Sequence, residues 1–420
     1  MRKVHQTPMK NFRNLLVALT ALLTANFALA QTWTLTSAPI TNWTAIASSA
    51  DGTKLVAVAS GGSWVLMDSG GIWVSTNSGG TWTQTSAPGA GWVLVTSSAD
   101  GNKLVAFGTL RSFYTSTNAG ATWISNNVPV VGGKWDSLVS SADGCKLAVM
   151  SQQSVELGPL LLTSTNSGAT WKTNNLPAGG PWKPVALSAD GTRLIVAGLG
   201  ICLSTNFGET WTSTNSLPSE AAAIVSSADG AKLAAICGQL IFISTNLGMT
   251  WVQTGAPPTN WISMASSADG SRLVAVAVTG GSYSLPPYVV DGPIYTSTNS
   301  GATWTSNNVP GQNWTCVASS ADGCKLAAAA TGENKPLTGG GIWIAQSTLA
   351  PQLNIATSNT SLDLSWIVPS ANFGLQQNSD LTTANWTDVT NPPVLNLTNL
   401  QNEVILSPTG ICGFYRLKTP

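Results

Sequence analysis

Ser75-Thr76-Asn77-Ser78-Gly79-Gly80-Thr81-Trp82 is the stretch on which the fold turns, because it returns at Ser116–Trp123, Ser164–Trp171, Ser204–Trp211, Ser244–Trp251 and Ser297–Trp304. Between these copies runs a second motif, Ser-Ala-Asp-Gly, whose seven aspartates are Asp51, Asp100, Asp143, Asp190, Asp229, Asp269 and Asp322, spaced 49, 43, 47, 39, 40 and 53 residues apart. A period near 45 residues suits four short strands and their turns, the content of one propeller blade. Strand-like runs at 43–47, 55–59, 72–75 and 82–85 fit that unit, and no helical periodicity competes with them.

A seventh copy of the first motif is split. Gly341-Ile342-Trp343-Ile344 supplies the strand that precedes it, and Thr32-Trp33, near the start of the chain, the strand that follows it. The expectation is an all-β chain: a seven-bladed β-propeller over 31–348, closed by its N- and C-terminal strands so that no open edge remains.

The motif Ser-Thr-Asn-x-Gly-x-Thr-Trp resembles the Asp-box, or bacterial neuraminidase repeat (BNR), of sialidases, sortilin-type receptors, xyloglucanases and photosystem II assembly propellers. The resemblance runs over roughly 31–348 and departs from the family by carrying Asn where Asp is usual. Asn caps a tight turn through its side-chain oxygen as Asp does, Gly allows the backbone to double back, and Trp fills the wedge between blades. Without the carboxylate the turn has little to offer a metal ion, so neither a metal nor a cofactor is expected.

Spacing separates two faces. From each motif Trp to the next Ser-Ala-Asp-Gly aspartate the count stays between 18 and 20, whereas from that motif's glycine to the next Asn motif it ranges from 13 to 27. In a four-stranded meander the variable stretch is the connection between second and third strands, which lies opposite both repeated turns. The longest connections are 59–71, 151–161, 279–293 and 331–341. Ring closure makes those of blades six, seven and one neighbours, displaying Trp64, Asp68, Tyr283, Tyr288, Asp291, Glu333 and Lys335 as candidate ligand-binding residues. Loops on a rigid scaffold are where binding usually resides.

Of the 18 tryptophans, thirteen fill repeated slots and read as scaffold, while Trp64 lies outside every slot and is the candidate for stacking on a sugar or peptide. A basic residue follows each Ser-Ala-Asp-Gly turn, at Lys54, Lys103, Lys146, Arg193, Lys232, Arg272 and Lys325, and a ring of exposed Asp–cation pairs is expected there. With these set aside, the propeller keeps Asp68, Asp136, Glu156, Glu209, Glu220, Asp291 and Glu333.

A sialidase would need three arginines to clamp its substrate carboxylate, and an Arg-Ile-Pro motif. The propeller has only Arg111, Arg193 and Arg272, two of them in the basic slot, and no Arg-Ile-Pro occurs. Another glycoside hydrolase needs only two suitably spaced carboxyl groups, for which Asp68, Asp291 and Glu333 are the candidates. The favoured expectation is non-catalytic: binding of a glycan, peptide or extracellular protein on the long-loop face.

The first thirty residues carry Arg2, Lys3, Lys10 and Arg13, an apolar run from Leu15 to Leu23 broken by Thr20, and Ala28-Leu29-Ala30. That order reads as a secretory signal peptide over 1–30, too short in its apolar run to span a membrane, which makes the protein secreted or held in the cell envelope. The remainder has 14 basic residues against 18 acidic ones, which disfavours a nucleic-acid partner. Export permits disulfides; Cys316 and Cys324, flanking one hairpin turn, are the best pairing candidates, and Cys202 occupies an apolar strand slot.

The repeat stops near Thr348. Residues 351–420 read as a small β-sandwich, and Phe373–Leu381, Asn385-Trp386-Thr387 and Phe414–Lys418 resemble fibronectin type III-like terminal modules of secreted repeat proteins. Such a module would anchor the protein to an envelope or matrix, or cover one face of the propeller.

Overall fold

The computed structural model describes residues 31–61, 70–109, 113–128, 134–152, 158–177, 180, 182–214, 217–278, 292–332, 340–347, 351–357, 361–369, 373–407 and 413–418. Among these residues all regular structure is β, and no helix is long and apolar enough to cross a membrane.

From Trp33 to Gln346 the described strands form seven antiparallel four-stranded sheets, none of which closes on itself. The first comprises Trp43–Ser48, Leu55–Ala59, Ile72–Ser75 and Thr83–Gln84, and the next five repeat this consecutive order. In the last sheet Trp314–Ser319, Lys325–Ala330 and Ile342–Gln346 are joined by Trp33–Leu35, with Trp33 opposite Ala345 and Leu35 opposite Trp343.

The strand compositions follow from stacking. Second strands such as Leu55–Ala59, Leu104–Gly108 and Leu233–Cys237 are buried along their whole length. Sheets lie against both of their faces, so they read as continuous small apolar runs rather than as an alternation. The outermost strands, such as Thr83–Gln84 and Thr212–Ser213, are two exposed residues long, which leaves little edge for another chain to pair with.

The core is divided into clusters that each join two consecutive sheets. One unites Val56, Val58 and Ile72 of the first sheet with Trp92, Val95 and Leu104 of the second. Another unites Trp43, Ile46 and Leu55 of the first with Ala327, Ala329 and Ile342 of the last. Trp43, Trp92 and Trp314 of the lead slot are fully buried in these wedges and serve as scaffold.

At one end of the sheets the alanines of the seven Ser-Ala-Asp-Gly turns are linked in sequence. Ala50 N–H donates to Ala99 O, Ala99 to Ala142, Ala142 to Ala189, Ala189 to Ala228, Ala228 to Ala268, Ala268 to Ala321 and Ala321 back to Ala50, all at 2.7–2.8 Å. The Asn-motif turns lie at the same end, since Ser78 N–H donates to Thr53 O at 2.8 Å and Leu247 N–H to Ala231 O at 3.0 Å. The connections of variable length therefore leave from the opposite end, between residues such as Ala59 and Ile72.

Beyond the last of these sheets, Asn354–Thr357, Leu362–Ile367, Gln401–Leu406 and Val394–Asn396 make one sheet, and Thr387–Asp388, Gly374–Asn378 and Phe414–Lys418 another. Leu364, Trp366, Leu375 and Val404 are buried together between them.

Candidate functional site

Trp64, Asp68, Tyr283, Tyr288, Asp291, Glu333 and Lys335, expected on the variable-loop face, all lie outside the described residues, as do Arg111 and Glu156. What the structure brings together is the stems that carry them. Asn42 donates from Nδ2 to Gly61 O at 3.4 Å, and its Oδ1 accepts from Thr331 Oγ1 at 3.0 Å and Gly332 N at 3.2 Å. One side chain thus joins the connections of the first and last sheets. Thr41 N–H adds a bond to Gly340 O at 3.0 Å.

The sixth connection is tied to the same group. Gly292 N–H donates to Gln312 O at 3.0 Å, Trp314 Nε1 donates to Gly292 O at 2.6 Å, and Thr331 N–H donates to Asn313 O at 2.9 Å. Gly292 leaves no room for a side chain, because a Cβ there would stand 1.7 Å from the carbonyl oxygen of Ala277. The segments 41–43 and 312–314 therefore hold the ends of three long connections beside one another.

A set of charges that the sequence reading left unassigned lies on the same face. Lys134 Nζ is 3.8 Å from Asp136 Oδ1, and Lys183 Nζ is 2.6 Å from Glu220 Oε1. Asp136 sits in a bulge between Trp135 and Ser137, and its side chain is 13% exposed. Burial pushes its carboxyl above the usual range, and the attraction of Lys134 and Lys183 only partly offsets that. A signal was present in the sequence: Lys134, Asp136 and Lys183 flank tryptophans of the repeated lead slot and Glu220 precedes its counterpart Ala221, where the remaining sheets carry neutral residues. Among the described residues no three His, Cys, Asp or Glu side chains gather as metal ligands.

The opposite face is built differently. In each Ser-Ala-Asp-Gly turn the serine hydroxyl donates to the aspartate and accepts a later backbone N–H, as Ser98 does with Asp100 Oδ1 at 2.5 Å and Lys103 N at 3.0 Å. Burial works to raise the carboxyls of Asp51, Asp100, Asp143, Asp190 and Asp269. Hydrogen bonds from the serine and from the residue after the glycine, aided by a neighbouring lysine, outweigh it and hold all five below the usual range.

The expected ring of Asp–cation pairs takes another form. Each cation reaches to the next sheet's turn, usually to a backbone carbonyl. Lys54 Nζ donates to Asp100 O at 2.9 Å, Lys103 to Asp143 O at 2.9 Å, Lys232 to Asp269 O at 2.8 Å and Lys325 to Asp51 O at 3.3 Å. Arg193 bonds Asp229 O, while Arg272 meets Cys324 Sγ at 3.2 Å. These are staples between sheets. They also explain the turn glycine: Gly101 has φ +68°, and a Cβ on it would lie 2.8 Å from Cβ of Lys54.

The Asn-motif turns are equally uniform. Asn77 Oδ1 accepts from Ser75 Oγ at 2.9 Å and Thr81 N at 2.8 Å, while its Nδ2 donates to Thr81 Oγ1 at 2.9 Å. A carboxylate could not donate that last bond, so Asn fits the turn with its own set of partners. The residue before the motif glycine is also left-handed, although it is Ser, Ala, Ser, Phe, Leu or Ser in the six copies.

Cys316 and Cys324 are not bonded to each other. Cys316 sits on a strand opposite Ala329 and packs against the first sheet, where burial pushes its thiol up to about 12. Cys324 lies in the turn against Arg272. Cys202 is buried in a core cluster, as its strand slot implied.

No family model and no curated protein matches the sequence. Solved structures match the fold. A YCF48 bound to a D1 peptide is 14% identical, with a TM-score of 0.53 over 76% of this chain and 96% of that one. YCF48 from Cyanidioschyzon merolae is 14% identical, with a TM-score of 0.55 over 75% and 98%. The β-propeller domain of Cps50 (Swd1) from Myceliophteria thermophila is 11% identical, with a TM-score of 0.56 over 76% and 100%. At such identities the likeness concerns architecture alone, and with the repeated four-stranded sheets it makes the fold of this chain a β-propeller.

Proposed function

We propose that this chain is a non-catalytic, exported, seven-bladed β-propeller, closed by the pairing of Trp33–Leu35 with Ile342–Gln346, that binds a peptide segment of a protein partner on its variable-loop face. The observation that carries the reading is the joining of three long-loop stems through Asn42 and Trp314 on a face that also holds Lys134, Asp136, Lys183 and Glu220. A rigid rim under variable loops is the arrangement in which binding residues are usually presented. Charges of both signs on the same face suit a peptide, whose backbone and side chains offer donors, acceptors and ions together. One propeller of similar fold is bound to a peptide, which favours a peptide over a glycan.

The test is a peptide and glycan array probed with the parent chain and with a variant that combines Trp64→Ala with replacement of 279–291 by a short Gly-Ser link. Loss of peptide binding with an unchanged unfolding transition supports the reading. Retained binding rejects this face, and binding confined to glycans rejects the ligand class. Processing after Ala30, read by N-terminal sequencing of exported material, tests the export step.

A further inference from the structure

The Ser-Ala-Asp-Gly face has an opening of definite size. Seven chains spaced about 4.8 Å apart, the ordinary interval between hydrogen-bonded strands, make a ring of backbone radius about 5.5 Å. Once the thickness of the backbone and its alanine methyls is allowed for, the centre has room for about one side chain. One is there. Leu400, from the turn between Val394–Asn396 and Gln401–Leu406, packs against a cluster formed by Ala142, Ala189 and Ala228, with Ala99 and Ala268 beside them.

The turn is built to present it. Leu400 has φ +55°, a region unfavourable for a leucine, and it is the one non-glycine outside the Asn motifs that adopts a positive φ among the described residues. Its carbonyl accepts from Val368 N at 3.0 Å. Asn396 Oδ1 accepts from Thr398 N at 2.9 Å, and Asn399 Oδ1 from Gln401 N at 3.0 Å. Glu403 Oε1 receives both Asn396 Nδ2, at 2.8 Å, and Asn399 Nδ2, at 3.1 Å. Asn or Gly would satisfy such a backbone at less cost, so the leucine is there for its side chain. The surrounding face favours an apolar occupant, because its seven cations already bond the next sheet's turn.

We propose that the turn at 397–400 is a stopper, which seats the C-terminal unit on the Ser-Ala-Asp-Gly face, occupies its axial opening and leaves only the loop face to an external partner. The exclusion of partners rests on the loop-face function proposed above; the docking does not. The C-terminal unit is then a cover for one face of the propeller, the second of the two roles the sequence allowed it.

The contact is lopsided, and that makes it testable. Leu400 packs against the turns of the third to fifth sheets, while Ala50 and Ala321 lie outside the cluster. Hydrogen–deuterium exchange of the full chain would be followed in Leu400→Asp, Leu400→Gly and Leu400→Met. Leu400→Gly keeps the turn backbone and removes the side chain. The Asp and Gly variants should exchange several-fold faster at Ala142, Ala189 and Ala228 with no change at Ala50 and Ala321, and should show a larger radius of gyration by small-angle scattering; Met should match the parent. Unchanged exchange at the three alanines in a folded Gly variant, or equal acceleration at all seven, overturns the stopper. Array binding is read separately, so a loop face that binds nothing would leave the docking result standing.

Discussion

On the Ser-Ala-Asp-Gly face every sheet repeats the same serine–aspartate and alanine bonds, and on the loop face no two neighbouring connections have the same length. The difference shows where geometry leaves freedom. A turn whose serine, aspartate and cation each bond a fixed neighbour tolerates no insertion, since a longer turn would break the alanine ring and the staple beside it. At the other end the connection lengths differ from sheet to sheet, so insertions are accommodated there. Asn42 and Trp314 mark the limit of that freedom, because they tie down the stems while the loops beyond them vary.

The comparison can be broken first at Trp314, which belongs to both the wedge and the loop rim. Trp314→Ala should cost about 3–5 kcal/mol through the cavity it leaves, and it should also release the Gly292 stem. Denaturant unfolding measures the first effect, and faster hydrogen exchange at Gly292 the second. A loss under about 1 kcal/mol would mean that the wedge is not the core described above.

Ser98→Ala sharpens the uniform side. Asp100 would lose its 2.5 Å donor and Lys103 N its acceptor, at a cost of about 0.5–1.5 kcal/mol, because the exposed carboxylate can turn to water instead. A neutral result in the unfolding midpoint would make the turn's bond pattern incidental.

Acid separates the two faces by sign. The carboxyls of Asp51, Asp100, Asp143, Asp190 and Asp269 lie lower in the folded chain than in the unfolded one. Their stabilising contribution is whole above the unfolded value near 4 and is lost as pH falls through the folded values. Asp136 behaves oppositely: its raised carboxyl binds a proton more readily when folded, so its ionisation costs stability as pH rises from about 4. Asp136→Asn should therefore be neutral or slightly stabilising at pH 7, whereas Asp100→Asn should destabilise. Thermal unfolding of both variants from pH 3 to 7 checks the pair, and a loss of stability at pH 7 in Asp136→Asn contradicts the assignment.

Much of this was legible in the sequence because repetition exposes it. Two motifs at fixed spacing located the strands, and the varying interval between Gly52 and Ser75 and its counterparts separated one face from the other. What escaped were relations between sheets. Lys54 follows Asp51 in sequence, yet its ammonium goes to Asp100 O, a partner defined only once the sheets are stacked. Cys316 and Cys324 flank one turn in sequence, but the pleat directs Cys316 towards the first sheet, away from that turn. Leu400 has no sequence signature at all, since an αL leucine is recognisable only from its backbone. Lys134 and Asp136 are visible as charges around a scaffold tryptophan, but the approach of Lys183 to Asp136 exists only once the third and fourth sheets are stacked.

If the proposed function holds, one face holds the molecule together and the other meets the partner. The most direct test probes a single peptide array with three forms of the full chain: the parent, Lys54→Met on the uniform face, and the loop variant with Trp64→Ala and 279–291 replaced. Lys54→Met should bind the same peptides as the parent, and the loop variant should bind none of them. The same peptides bound by the loop variant, together with their loss in a folded Lys54→Met protein, would contradict this division between the faces.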